Sequence, residues 1–398
     1  MFIGRQDILD NLKEWENDKK IKILIGLRRV GKTYILKEYI KNISHNKINY
    51  DFNDPKLNNL SYMELYDKII SQSSSNDTNF VFLDEIQEIK NWEKCVIGLF
   101  EHKTIKFNIF LTGSNSHMYS SELRTLLSGR KIEFIVYPLE YNEILEFNNK
   151  ISFNNYLQNG GLGDILKNYD DIKKTKINLT EIFNDTIQKD IIERKNIKNI
   201  FDFKKVLNFA LKTIGKKLNS ENIVNYLISN GEKSISKPTI LNYYQWICDS
   251  MVMNKVKYFD IKTKSELSNK AKYYCGDLGL YNVVNGFDIE DSNRSIRIEN
   301  VVFLFLKKCG YEIFCFEDKQ KHEIDFVIKK DNIIKYIQVC EVLNDDNYER
   351  ETRSLLAVRD GFEKIIICCE NNLNFKSLIN NGIKIIDLIN LLKRKVVI

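Results

Sequence analysis

The chain has 398 residues, 43% hydrophobic and 29% charged, and its 60 basic against 54 acidic residues leave a formal charge of +6. That composition excludes a disordered polyelectrolyte, and at about 150 residues per domain the length implies roughly two or three domains instead of one core. A basic surplus this small permits contact with DNA or RNA without indicating it. The N-terminal MFIGRQDILD lacks a basic flank followed by an apolar run, and no stretch of about 18 uncharged apolar residues occurs, so neither secretion nor membrane spanning is expected. The expected location is cytoplasmic. Eight cysteines, none in a CxxC pair, suggest neither a zinc site nor a disulfide framework.

From residue 21 to 138 short β-branched and aromatic runs alternate with amphipathic stretches, the pattern of a parallel sheet flanked by helices. Strands are predicted at about 21–25, 48–53, 79–84, 105–111 and 131–137, with helices starting near Lys32, Tyr62, Trp92 and Ser116. From about 140 to 230 the apolar residues recur at helical spacing, as in Phe203, Val206, Leu207, Ala210 and Ile214. Ser220 and Ser236-Lys237-Pro238 read as helix starts, with serine as cap and proline tolerated in the first turn. Those two helices, followed by the extended KVKYFDI and KAKYYCGD, predict a winged-helix-like unit. From about 295 a second α/β segment begins: a helix over 295–309, strands EIFCF, EIDFVIKK and NIIKYIQVCEV, a helix over 348–360, then KIIICCE and IKIID.

The run Gly26-Leu27-Arg28-Arg29-Val30-Gly31-Lys32-Thr33 fits GxxxxGK[ST], directly after the apolar IKILI and before the helical YILKEYI. In that context the glycines let backbone N–H groups and a helix N-terminus surround phosphates. Lys32 is expected to reach the β- and γ-phosphates of ATP and Thr33 to ligate Mg2+. The strand FVFLD ends in Asp84 and Glu85. Asp84 is expected to hold Mg2+ through water and Glu85 to polarise the attacking water, since phosphoryl transfer needs an aligned nucleophile. The next strand ends in Thr112-Gly113-Ser114-Asn115, where Asn115 or Ser114 would lie beside the γ-phosphate. Arg130 is a candidate finger for γ-phosphate charge, acting in a neighbouring subunit of a homo-oligomer, with Arg28, Arg29 and Arg124 as competitors. Asp190 and Arg194, four apart on a helix, suit either a surface ion pair or nucleotide sensing.

Taken together, GLRRVGKT, FVFLDEIQ, LTGSNS, LSGR, YPLEYNEI, YLQNGG, KYYCGDLGL, IEN, HEIDFVI and YIQVCE resemble prokaryotic AAA-type ATPases whose C-terminal half is a domain of unknown function related to PD-(D/E)xK nucleases. The likeness spans nearly the whole chain. One departure is GGLG at 160–163, where a proline commonly follows GGL. The resemblance implies an α/β architecture in four parts: a P-loop AAA-type core over 1–138, a helical lid over 139–200, a winged-helix-like domain over 201–290 and a nuclease-like α/β domain over 291–398. It also makes Asn115 similar to a sensor residue, and Gly4 and Arg5 similar to the segment such ATPases lay against adenine.

The nuclease-like half is expected to be degenerate. Its chemistry needs carboxylates that hold Mg2+ and a lysine that orients water. Glu299 and Asp325 supply two oxygens, but the third motif reads Gln338-Val339-Cys340, which lacks an acid and a lysine. Lys321 or Lys335 are the candidate replacements. The function expected is Mg-dependent ATP binding and hydrolysis whose nucleotide state controls a nucleic-acid-binding C-terminal half, with Lys237, Thr239, Asn242, Tyr243 and Gln245 facing the polynucleotide. The alternatives are an ATP-dependent scaffold that assembles with a protein partner, and a Mg-dependent nuclease.

Overall fold

The computed structural model describes residues 4–57, 59–114, 126–218, 220–229, 235–261, 263, 265–290, 292–318, 320–373 and 382–398. Strand β1 (Ile21–Gly26) is buried at all six positions, the mark of a strand covered on both faces. Its neighbours are β2 (Asn46–Asp51), β3 (Thr78–Asp84), β4 (Lys106–Ser114) and β5 (Lys131–Val136), in the order β2-β3-β4-β1-β5 and all parallel. Side chains alternate between the faces. Leu24, Phe80, Phe82 and Phe110 pack towards α1 (Gln6–Glu14) and α2 (Lys32–Lys41), while Ile23, Ile25, Val81 and Leu83 pack towards α3 (Tyr62–Gln72) and α4 (Trp92–Phe100). Parallel register carries all five strands to one C-terminal edge, where Gly26 pairs with Ser114 and Val136, and Asp51 with Asp84.

The chain then turns helical through α5 (Tyr141–Phe147), α6 (Phe153–Asn159) and α7 (Ile172–Asp185), which runs without a break into a π-helical turn, Thr186–Glu193. Next come α8 (Ile200–Lys212), α9 (Ser220–Ser229) and α10 (Lys237–Asp249). The Ser236 side chain accepts from the Thr239 amide at the start of α10, with proline in the first turn, as its sequence implied. On this helix Ile240, Tyr243, Tyr244 and Ile247 face inward, and Tyr243 packs its ring edge-on to Phe203. Tyr243 therefore does not face outward as expected, whereas Lys237, Asn242 and Gln245 do.

The antiparallel hairpin of β6 (Met253–Asp260) and β7 (Ser265–Cys275) leads to α11 (Leu278–Asn285) and α12 (Arg294–Lys308). A second sheet follows with β8 (Glu312–Glu317), β9 (Glu323–Lys330), β10 (Ile333–Asn344), β11 (Glu363–Asn372) and β12 (Ile383–Asp387), accompanied by α13 (Tyr348–Ala357) and α14 (Leu388–Leu392). Its strand order is β12-β11-β10-β9-β8-β6-β7, so the hairpin extends the C-terminal sheet through the Tyr258–Cys315 pairing. The second sheet thus crosses residue 290 and ties the helical region to the C-terminal strands. Among the described residues no helix is long and apolar enough to cross a membrane.

Candidate nucleotide site and a second cluster of charge

At the end of β1 a Cβ on Gly26 would lie 2.3 Å from the Val136 carbonyl oxygen, so only glycine lets β1 run this close to the end of β5. Gly31 then caps α2 with φ 102°, a left-handed conformation that glycine adopts without strain. Between them the loop wraps the first turn of α2, whose leading N–H groups have no partner within the helix. Lys32 is buried, and its ammonium donates to the carbonyls of Gly26 (3.2 Å) and Leu27 (3.1 Å). Burial pushes the Lys32 pKa down, opposed by the charges of Glu85, Asp190 and Asp84.

The β3 end faces this loop. The Thr33 hydroxyl donates to Asp84 Oδ1 at 3.1 Å. The Thr112 hydroxyl, on β4, donates to the same oxygen and accepts from the Glu85 amide at 2.9 Å. Asp84 Oδ2 is buried without a hydrogen-bond partner, and burial raises the Asp84 pKa against the two hydroxyl bonds. A buried carboxylate oxygen left unpaired costs free energy unless a cation completes it, so this oxygen beside Thr33 fits a hydrated Mg2+. Glu85 itself sits at φ 53°, a left-handed geometry that is uncommon outside glycine and recurs at sites where position outweighs local strain. Its carboxylate accepts from the Gln87 amide nitrogen.

The other expected residues divide. Arg28 points into the helical region, where Asp190 accepts from its Nε (3.1 Å) and Nη2 (2.8 Å). Arg29 turns outward with φ 62° and pairs with Asp164 at 3.1 Å. Leu27 and Val30 are buried. Gly4 is exposed, while Arg5 is buried and bonded to the Tyr137 carbonyl (2.8 Å), with Glu143 at 3.8 Å. Arg130 immediately precedes β5, at the opposite edge of the sheet from the P-loop, and pairs with Glu101 at 3.0 Å. Parallel register therefore keeps Arg130 away from the P-loop of its own chain. Asn115 and Arg124 lie outside the described residues, as does the Ser116 helix start. Arg194 is half-buried near Glu88, Arg28 and Glu85, and burial lowers its pKa to about 10. Thr112 was not anticipated as a direct partner of Asp84; the signal available was one hydroxyl within the apolar strand NIFLT.

The motifs YLQNGG and KYYCGDLGL meet each other. Asp277 accepts from the amides of Gly161 (2.7 Å), Gly279 (2.8 Å) and Leu280 (3.3 Å), and burial pushes its carboxyl up to about 6 against those three bonds. Asp277 caps α11 and fastens it to the segment beneath the P-loop, which is a structural role. A Cβ on Gly163, the last residue of GGLG, would lie 3.7 Å from the Arg29 carbonyl oxygen, an ordinary contact, so a side chain here would leave the P-loop undisturbed.

In the C-terminal half Glu299 on α12 and Asp325 on β9 do converge, on a lysine the pattern had not supplied. Lys272, from β7, lies 3.1 Å from Glu323, 3.7 Å from Glu299 and 3.8 Å from Asp325, with its side chain 4% exposed. Burial alone would favour its neutral amine, but Glu299 and Asp325 hold the pKa well above the usual lysine value. The Asp325 carboxyl is pushed up by burial and by Glu299. Gln338 adjoins the cluster through Val339, whose amide donates to Asp325 at 2.9 Å, and its own amide nitrogen reaches Glu351 at 3.3 Å. Neither expected replacement is here: Lys335 pairs with Glu363 at 2.8 Å, and Lys321 occupies the turn before β9 with φ 66°.

Residues 18–145 match the AAA domain family, and residues 150–291 match a domain of unknown function, DUF8612. An uncharacterized protein of Haemophilus influenzae is 30% identical over 384 residues, covering 92% of this chain and 93% of the relative. The uncharacterized protein MJ1544 of Methanocaldococcus jannaschii is 31% identical over 384 residues, covering 87% of this chain and 84% of its own. Among solved structures, the Walker-type ATPase Paby2304 of Pyrococcus abyssi superposes with a TM-score of 0.52 at 14% identity, over 71% of this chain and 96% of that one, which shows a shared fold. With the five-stranded parallel sheet and the P-loop at its C-terminal edge, these matches establish that the chain belongs to the same family as the Haemophilus and Methanocaldococcus proteins, a family built on an AAA domain with the P-loop ATPase fold.

Proposed function

We propose that the chain binds Mg-ATP at residues 26–33 and hydrolyses it, and that nucleotide state controls a nucleic-acid-binding C-terminal half. The observation that carries the reading is Asp84, whose Oδ2 is buried and unpaired while Oδ1 is fixed by Thr33 and Thr112. Thr33 and Asp84 would hold Mg2+, which supplies charge neutralisation to the β- and γ-phosphate oxygens. Lys32 releases the Gly26 and Leu27 carbonyls to bind phosphate, and the amides of the loop and of the first turn of α2 orient it. Glu85 aligns the attacking water, its amide held by Thr112 so that its carboxylate stays at the strand end. Ser114 or Asn115 would contact the γ-phosphate, and Arg130 would act only across a subunit boundary.

Two contacts support control of the second half. Arg28 of the P-loop is bonded to Asp190, and Leu27 lies 3.2 Å from a Cβ built on Gly276 at the end of β7, whose strand continues into the second sheet. Lys237, Asn242 and Gln245 on the exposed face of α10 suit phosphate contact. Calorimetry and phosphate release test the core reading: the wild type binds and hydrolyses Mg-ATP, Lys32→Ala loses binding, and Glu85→Gln binds but turns over at least about a hundredfold more slowly. Normal turnover by Glu85→Gln removes the assignment of that acid. Polynucleotide binding whose salt dependence is unchanged by ATP removes the control step.

A further inference from the structure

Of the three cations of the P-loop, Arg29 turns outward to Asp164, and the protein itself engages the other two, Lys32 and Arg28. Lys32 is turned onto two loop carbonyls. Arg28 is gripped at two points by Asp190, across 162 positions of sequence, so the fork is a tertiary contact that a surface ion pair within one helix would not make. Asp190 also acts on Lys32, where its charge is second only to that of Glu85 among those opposing burial. One carboxylate thus faces both cations that a triphosphate would use.

The placement of Asp190 is built into the fold. Its side chain is 8% exposed, whereas Gln188, Lys189 and Glu193 on the same turn are exposed. Ile187, Ile191 and Ile192 bury the turn, and the Ile197 amide bonds five residues back to Ile192. Such π turns concentrate at functional sites because the additional residue re-aims the side chains that follow. A carboxylate this buried is stable only when a charged group meets it, and Arg28 does so at two points.

We infer that Asp190 is a positioning residue that competes with triphosphate for Arg28, so that nucleotide draws the guanidinium away and frees the π-helical turn from the P-loop. The competition rests on the nucleotide reading above, because it needs a polyanion in the loop. Asp190 supplies one full negative charge to Arg28; a triphosphate supplies several, and its approach brings like charge against a desolvated carboxylate. The bond that breaks is the Arg28–Asp190 fork, and the segment released is 186–193, which continues α7.

The test is calorimetric titration of Mg-ATP into wild type, Asp190→Asn, Asp190→Glu, Arg28→Ala and the Arg28→Ala/Asp190→Asn pair. Asp190→Asn is expected to bind about fivefold to tenfold more tightly, the scale of removing one charged competitor, while Asp190→Glu stays near wild type. In the Arg28→Ala background the Asn substitution is expected to give a clearly smaller gain, since the contested guanidinium is gone and only the charge that Asp190 exerts on Lys32 and on the phosphates is removed. Amide exchange over 186–197 is expected to quicken both in Asp190→Asn and in the wild type on adding Mg-ATP. A wild type that takes up Mg-ATP while Asp190→Asn binds no more tightly, or a gain that is undiminished without Arg28, overturns the competition alone. A wild type that takes up no Mg-ATP overturns the nucleotide reading and the competition with it.

Discussion

Replacing Lys272 with methionine isolates the cluster that joins the β6–β7 hairpin to the C-terminal sheet. In the wild type one ammonium meets Glu299, Glu323 and Asp325 at 3.1–3.8 Å, with Lys272 almost fully buried. Methionine keeps a chain of similar length and removes the charge, leaving three carboxylates without a cation. Breaking a buried ion cluster by removing one partner costs about 3–5 kcal/mol. The penalty has a sign in pH. The wild-type Asp325 carboxyl already titrates above its unfolded value of about 3.9, because burial and Glu299 disfavour its charge. Without Lys272 the Asp325 pKa in the folded state rises further, so the variant loses stability more steeply than the wild type as pH climbs above about 4. Lys272 itself is held above its unfolded value, so its contribution is fully present throughout that range. Thermal unfolding at about pH 5.5 and about pH 8.5 should therefore show a smaller loss at the lower pH than at the higher, where roughly 10 °C is expected, taking about 2–4 °C per kcal/mol for a domain of this size. Adding Asp325→Asn should recover part of the loss at the higher pH. Equal losses at both pH values, or no recovery, refute the view that Lys272 acts as counter-ion to these acids.

Thr112→Val removes the hydroxyl that bonds Asp84 and the Glu85 amide, and is expected to lower kcat about tenfold to a hundredfold while ATP affinity moves less than about threefold, as read from kcat and KM separately. Thr112→Ser should restore turnover. Asp277→Asn probes the clasp between α11 and Gly161: the wild-type carboxyl is pushed up to about 6, so its contribution to stability declines as pH rises from about 4 to about 6. The variant should show a flatter profile across that window in a chemical-denaturation series, and an unchanged slope would contradict the burial of a titrating carboxyl there.

The strands of the first sheet and the P-loop were legible because their signals are local. An apolar run with a glycine-rich turn and a helix start specifies a strand, a cradle and a helix N-terminus within a few residues, and β1, α2 and β3 follow it. The inward face of α10 was also available, since Ile240, Tyr243, Tyr244 and Ile247 follow helical spacing, yet Tyr243 was placed outside. What could not be read is long-range. Lys272 reaches Glu299 and Asp325 only because the hairpin joins the second sheet beside β8, and no spacing encodes that pairing. The same holds for Asp190 and Arg28. Arg130 was singled out by residue type, and its position just before β5, at the far edge of a parallel sheet, leaves only the neighbouring-subunit form of that expectation open.

These long-range contacts share a pattern. The outer wall of the P-loop is made by the helical region and the end of β7: Asp164 meets Arg29, Asp190 meets Arg28, and Gly276 lies against Leu27. A Cβ on Gly276 would stand 2.0 Å from the Met251 carbonyl oxygen, so only glycine lets the chain leaving β7 pass this close to the turn before β6. Four residues back along the same strand, Lys272 is fixed among three carboxylates of the C-terminal half. At about 3.3 Å per residue, roughly 13 Å of hydrogen-bonded strand separates the two contacts. Because β7 is paired with β6 along its length, shifting its end at Cys275 without shifting Lys272 would require breaking ladder bonds or the ion cluster. The strand is thus a stiff connection between the wall of the candidate nucleotide site and the second sheet, with a glycine that permits contact at one end and a lysine that anchors it at the other.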